Sequence, residues 1–104
     1  QELETIKRHG IKLLMIVMND AAYGSEIHKL RVDGHDETGA AFGQTDLASV
    51  ARGFGLGGVS FTNLKDLDAA FEDFVSGEKA ALWDFHISDQ IASPVMRRLT
   101  GAKK

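Results

Sequence analysis

The residues best suited to chemistry in this chain stand together at Asn19-Asp20-Ala21-Ala22-Tyr23-Gly24-Ser25-Glu26. Asp20 offers a carboxylate, and the small side chains of Ala21 and Ala22 let a backbone carbonyl turn toward an ion. A hard cation such as Mg2+ takes oxygen ligands in octahedral geometry, commonly one or two carboxylates completed by phosphate oxygens. The amides of Tyr23, Gly24 and Ser25 lead into an expected helix, whose first unpaired N–H groups favour an anion. The segment is therefore expected to hold a metal together with a diphosphate. The plainer alternative is that Asn19 and Asp20 only form an Asx-turn or helix cap. For Glu26 it is a solvated first-turn glutamate that complements the helix dipole.

Something must position this segment, and the residues before it supply a strand. Ile11 to Met18 is an apolar run without alternation, the pattern of a strand covered on both faces, typically central in a parallel sheet. Open α/β sheets bind ligands outside their strand carboxyl ends, and Asn19 begins at such an end. Upstream, Gln1 to His9 reads as a helix stopped by Gly10. Downstream, Ser25 to Leu30 reads as a short helix, and 31–44, rich in Gly, Asp and Glu, as a mobile surface loop. Thr45 is the expected N-cap of a helix running through Phe54, which Gly55, Gly57 and Gly58 break before a strand at Val59 to Thr62. Asn63 is expected to cap a helix from Leu64 to Ser76 with Leu64, Leu67, Phe71, Phe74 and Val75 on its apolar face. Gly77 closes that helix, and Ala80 to Ile87 forms the next strand. Pro94 opens a last short helix carrying Val95, Met96 and Leu99, and the tail from Gly101 is expected to fray. Strands separated by helical crossovers predict an α/β fold of three layers, α/β/α, with a three-stranded parallel sheet.

Composition narrows the chemistry. The 104 residues are 43% hydrophobic and 26% charged, enough for one modest core, so one domain or a piece of one is expected over 1–104. Twelve basic against fifteen acidic residues, without a basic stripe, give no support to nucleic-acid binding. Cysteine is absent, which excludes disulfides, thiolate metal sites and cysteine nucleophiles. No apolar stretch is long enough to span a bilayer, and a cytoplasmic location is expected. The chain starts at Gln1 inside an apparent helix, which suggests a piece of a longer protein whose upstream part is missing.

Other clusters carry less. Gly53, Gly55 and Gly58 have dinucleotide-fingerprint spacing, but here a helix precedes and a strand follows, the wrong polarity for that site. His35-Asp36-Glu37 reads as solvated loop, since adjacent side chains cannot all converge on one ion. His28 reads as a surface histidine, and Asp84 and His86 share a strand face without a nucleophile beside them. Trp83, Phe71 and Phe74 read as core.

Taken together, Gln1-Glu2-Leu3-Glu4-Thr5, the strand, and Asn19-Asp20-Ala21-Ala22-Tyr23-Gly24 resemble the carboxy-terminal cofactor domain of thiamine-diphosphate-dependent enzymes, in particular the acetolactate synthase and 2-oxo acid decarboxylase group. Thr45-Asp46-Leu47-Ala48, Ala51-Arg52-Gly53-Phe54-Gly55 and Ala80-Ala81-Leu82-Trp83-Asp84 extend the resemblance over most of the chain. In that family Gly-Asp-Gly opens a metal-binding motif that closes with Asn-Asn. This sequence has the closing part, with Asp20 where the second Asn stands, and lacks the opening part. The resemblance implies Mg2+ ligation by the Asp20 side chain and the Ala22 carbonyl, and diphosphate near Tyr23, Gly24 and Ser25. By the offset of a glutamate in the decarboxylase branch, it implies proton transfer by Glu26. It further implies a 2-oxo acid substrate that is decarboxylated or joined to a second carbonyl compound, with thiamine diphosphate as electron sink. The glutamate that activates the cofactor would come from another domain, usually of a second subunit, so a dimer or tetramer is expected and this polypeptide alone is expected to be inactive. A non-catalytic α/β interaction module is the alternative.

Overall fold

In a computed structural model of the chain, residues 1–101 are described. The tail beyond Gly101, expected to fray, lies outside them. The chain divides into two compact units, Gln1–Met18 with Asp46–His86, and Asn19–Thr45 with the segment that follows from Ile87.

The first unit is built on a sheet. Helix α1 (Glu2–Arg8) has Glu2 and Glu4 in its first turn and Lys7 and Arg8 in its last, the order that complements the helix dipole. Gly10 ends it at φ +60°, where the Gly10 and Ile11 amides fold back onto the Lys7 and Ile6 carbonyls. Strand β1 (Leu14–Asn19) follows, then, after helix α2 (Gly24–Asp33) of the second unit, helix α3 (Leu47–Gly53), strand β2 (Gly57–Phe61), helix α4 (Leu67–Ser76) and strand β3 (Ala81–His86). The sheet order is β1-β3-β2, with β2 and β3 parallel and Gly57 opposite Ala81 through Phe61 opposite Phe85.

Side chains alternate across β3 and sort the helices into layers. Ala81 and Trp83 meet Phe61, Val59 and Phe85 on one face, where Leu67, Ala70 and Phe74 of α4 cover them. Trp83 is only 4% exposed and stands edge-on to Phe61, with ring centroids 5.4 Å apart. Leu82 on the opposite face joins Ala51 and Leu56, against which Leu3 and Ile6 of α1, Met15 and Val17 of β1 and Leu47 of α3 pack. This is the expected three-layer α/β/α arrangement. Each large apolar side chain so buried contributes about 1.5–3 kcal/mol.

Five expectations about this unit are corrected. β1 is an edge strand; β3 holds the centre, and Leu14 packs against the Phe61, Ala81 and Trp83 cluster while Ile16 is 57% and Met18 61% exposed. Gly57 and Gly58 do not break the chain but lie within β2, because α3 packs so closely that a Cβ on Gly58 would collide with the Ala48 carbonyl. Helix α4 starts at Leu67 rather than Leu64, since the Asn63 side chain closes a local turn on the Lys65 amide instead. Of its expected apolar face, Leu67 and Phe74 pack on the core while Leu64, Phe71 and Val75 are exposed, so Phe71, 53% exposed, is not core. Likewise Asp46, not Thr45, caps α3, accepting the Ser49 amide at 2.8 Å.

The second unit holds helix α2 (Gly24–Asp33), a 3-10 turn at Thr38–Ala40 and helix α5 (Pro94–Thr100). Ile27 and Ala40 are its buried apolar residues. α2 begins one residue earlier and ends three residues later than expected, stopping at a left-handed Gly34, and contacts α5. Ser93 caps α5 through the Met96 amide, with Pro94 at the first helical position as expected. The segment expected to be a mobile loop is fastened. Arg31 donates to both carboxylate oxygens of Glu37 and to the side chain and carbonyl of Asp89. Among the described residues no helix is long and apolar enough to cross a membrane.

Candidate functional site

Where β1 ends, Asn19 turns the backbone. Its side-chain oxygen accepts the Ala21 amide at 3.1 Å, its amide nitrogen donates to the Thr45 carbonyl at 3.1 Å, and its own carbonyl accepts the Ile87 amide. Asn19 is buried and acts as the knot of the loop. The turn is sharp enough to put Ala21 at φ +61°, the only non-glycine at positive φ among the described residues.

From Ala21 the chain pairs antiparallel with 40–43 through an isolated bridge between Ala22 and Ala41. Tyr23 donates to the Ala40 carbonyl at 2.8 Å, and Phe42 and Gly43 both donate to the Ala21 carbonyl at 3.2 Å. These bonds flank Ala22, whose own N–H and C=O therefore point away from Ala41. The Ala22 amide goes to Asp20 Oδ1 at 3.2 Å. Because an extended residue projects its N–H and C=O to the same side, the Ala22 carbonyl shares that side with the Asp20 carboxylate. The other carboxylate oxygen, Oδ2, packs so closely on Gly24 that a Cβ there would collide with it. Gly24 is thus required for close approach. The sequence pattern identified Asp20, Ala22 and Gly24 as neighbours, and the structure brings them together.

Helix α2 starts at Gly24, and Gly24 and Ser25 occupy the first two helical positions, whose N–H groups have no acceptor within the helix. Tyr23, expected to offer a third amide, spends it on Ala40. Its ring is exposed and meets Phe42 edge-on, centroids 5.1 Å apart. Glu26 lies on the surface, its carboxylate accepting the Ser25 hydroxyl at 2.8 Å and pairing with Lys29 at 3.6 Å. The Ser25 hydroxyl first, then backbone N–H and Lys29, hold its carboxyl below the usual glutamate range. That geometry is what a first-turn glutamate complementing the dipole adopts.

Among the described residues no three His, Cys, Asp or Glu side chains converge on one point. A cation bound here would draw from this chain one carboxylate and one carbonyl, the rest of its shell coming from ligand and water. That donor set suits Mg2+, which keeps waters and binds through few carboxylates plus phosphate. Sequence reasoning missed Ala40, Ala41 and Phe42, which fix the loop from the far side; the small-residue run Gly39-Ala40-Ala41 was the only local signal. Asp84 and His86, which share a strand face without a nucleophile, serve the fold: the buried Asp84 carboxylate accepts the Leu47 amide at the start of α3 at 3.2 Å, with His86 Nε2 3.4 Å away.

A parallel α/β sheet whose first strand runs directly into an oxygen-rich loop and a helix start defines a cofactor-binding domain of the open-sheet class. The family model of the thiamine pyrophosphate enzyme, C-terminal TPP-binding domain, matches residues 1–85, and the chain belongs to that family. The chain is accordingly a thiamine-diphosphate-binding domain of a thiamine-diphosphate-dependent enzyme. No curated protein matches it.

Proposed function

We propose that this chain supplies the metal-diphosphate loop of an Mg2+-dependent enzyme of the acetolactate synthase and 2-oxo acid decarboxylase group, acting on a 2-oxo acid as a homo-oligomer in the cytoplasm. The observation that carries the reading is the Ala22 amide on Asp20 Oδ1, at a bridge whose flanking bonds turn the Ala22 backbone groups away from Ala41, just before the start of α2. Asp20 and Ala22 hold the cation, and the Gly24 and Ser25 amides meet the diphosphate beside it. When bound, thiamine diphosphate supplies the electron sink for cleaving the bond next to a 2-oxo acid carbonyl. The chain's own contribution is to orient: Asn19 and the Ala22–Ala41 bridge fix the loop, and Gly24 gives Asp20 room. Glu26, its carboxyl held below the usual glutamate range by the Ser25 hydroxyl, is ionised near neutral pH and has no proton to deliver there, so any part it takes in proton transfer begins as an acceptor.

Manganese tests this directly, because Mn2+ replaces Mg2+ at oxygen sites and broadens nearby amide resonances. With thiamine diphosphate present, substoichiometric Mn2+ is expected to broaden Ala22, Gly24 and Ser25 selectively, and Asp20→Ala is expected to weaken the effect about tenfold or more. Asp20→Asn, which restores the family's residue, retains it. Broadening spread over surface carboxylates, or unchanged by Asp20→Ala, would overturn the assignment.

A further inference from the structure

A cleft lies within the sheet-bearing unit, between α4 and the starts of β2 and β3. It encloses about 710 Å3 and reaches Trp83 and Phe74. That volume falls within the range of small-molecule sites. It is open because its walls are small: Gly57 and Ala69 are among them, and a Cβ on Gly57 would already press on the Ala81 methyl at 3.1 Å.

The charges at its rim have a sign. Asp66, Asp73 and Glu78 line the cleft against a single ammonium, Lys79. Lys12 also reaches this side but is committed, donating to the Val75 and Gly77 carbonyls and lying 5.0 Å from the Phe74 ring centroid. Its position shows that the aromatic cluster already receives one cation on a ring face. Aromatic floor, small walls and an acidic rim together suit a flat apolar molecule that carries one positive charge.

We propose that this cleft is a second ligand site, separate from the Asp20 loop, that takes a small aromatic ammonium ion. The ring would lie against Trp83 and Phe74, and the ammonium group would face Asp66, Asp73 and Glu78.

Trp83 is the chain's only tryptophan, so its emission reports on the cleft directly. Titration with 2-phenylethylammonium at low salt is expected to change that emission saturably, with 3-phenylpropionate binding at least about fivefold more weakly. The preference should shrink toward unity as salt rises, because the rim charges are exposed. Ala69→Leu, at an exposed position, is expected to abolish binding while the circular dichroism stays unchanged. Asp73→Lys leaves the Ala69 wall in place and should reverse the preference between the two probes, which tests the charge assignment should Ala69→Leu fail to fold. No saturable change in emission, equal binding of the two probes at low salt, or undiminished binding by folded Ala69→Leu would each overturn the proposal.

Discussion

The two units of this chain are held together by different forces. The sheet unit buries Trp83, Phe61, Leu82 and Leu56 between helices. The unit carrying the loop buries Ile27 and Ala40 and otherwise depends on polar ties: Asn19 on Ala21 and Thr45, and Arg31 on Glu37 and Asp89. Apolar packing is nondirectional and accumulates with area, whereas hydrogen bonds fix angles. A loop that must aim a carboxylate and a carbonyl gains more from the second kind of restraint. It follows that the loop unit is the less stable of the two, as ligand-binding segments commonly are.

The largest effect that would test this contrast is loss of the aromatic cluster. Trp83→Ala removes a ring in contact with Phe61 and Phe74 and is expected to cost about 3–5 kcal/mol. Urea unfolding followed by far-ultraviolet circular dichroism measures it. A loss below about 1 kcal/mol would mean that the sheet unit does not draw its stability from this cluster.

Arg31→Leu should act on the other side of the comparison. The guanidinium is held protonated more firmly than an ordinary arginine by Glu37, then Asp89, and three chain segments meet on it. Without it, amide exchange in α2 and 35–43 is expected to quicken about tenfold while β3 amides keep their protection. Equal acceleration in both regions would show one cooperative structure rather than two differently held ones.

Acid should separate the units in the same direction by a smaller amount. Arg31, with Gln90, holds the Asp89 carboxyl below its usual range, and Ser49 does the same for Asp46. A carboxyl with a depressed folded-state pKa contributes stability that is complete above its unfolded value, about 3.9, and is lost as pH falls through the folded value. Both contributions are therefore present at pH 6 and fade below about pH 4. Asp46 caps only α3 in a unit with an apolar core, so α2 should lose exchange protection before β3 does. Asp89→Asn should flatten the acid response of α2 and leave that of α3 unchanged.

The contrast also explains what was legible in the sequence. Most elements of the sheet unit are visible in the sequence as apolar spacing, and the run from Asn19 to Ser25 stands out because its polar and small residues are adjacent in the chain. The edge position of β1 did not show, since an apolar run reads the same whether β3 or another strand lies at the centre. Gly57 and Gly58 read as breakers because a glycine's local freedom is visible in sequence while the approach of the Ala48 carbonyl is not. The Arg31 tie was hidden for the same reason: Arg31 and Asp89 are 58 residues apart and neither belongs to a periodic pattern.

The smallest effect bears on the loop itself. At φ +61° Ala21 occupies a conformation that costs an L-residue about 1–2 kcal/mol. It is kept there because its amide reaches Asn19 Oδ1 and its carbonyl receives both Phe42 and Gly43. Ala21→Gly relieves the steric cost but adds about 0.5–1 kcal/mol of backbone entropy to the unfolded chain. The net expectation is a gain of up to about 1 kcal/mol in thermal or urea unfolding, with the Ala22–Ala41 bridge intact. Ala21→Val, whose β-branched side chain tolerates positive φ poorly, should instead loosen the bridge and weaken the manganese effect at Ala22. If Val is accepted without cost to either, the loop is held less tightly than its hydrogen bonds imply, and the aim of Asp20 depends on something other than the turn at Ala21.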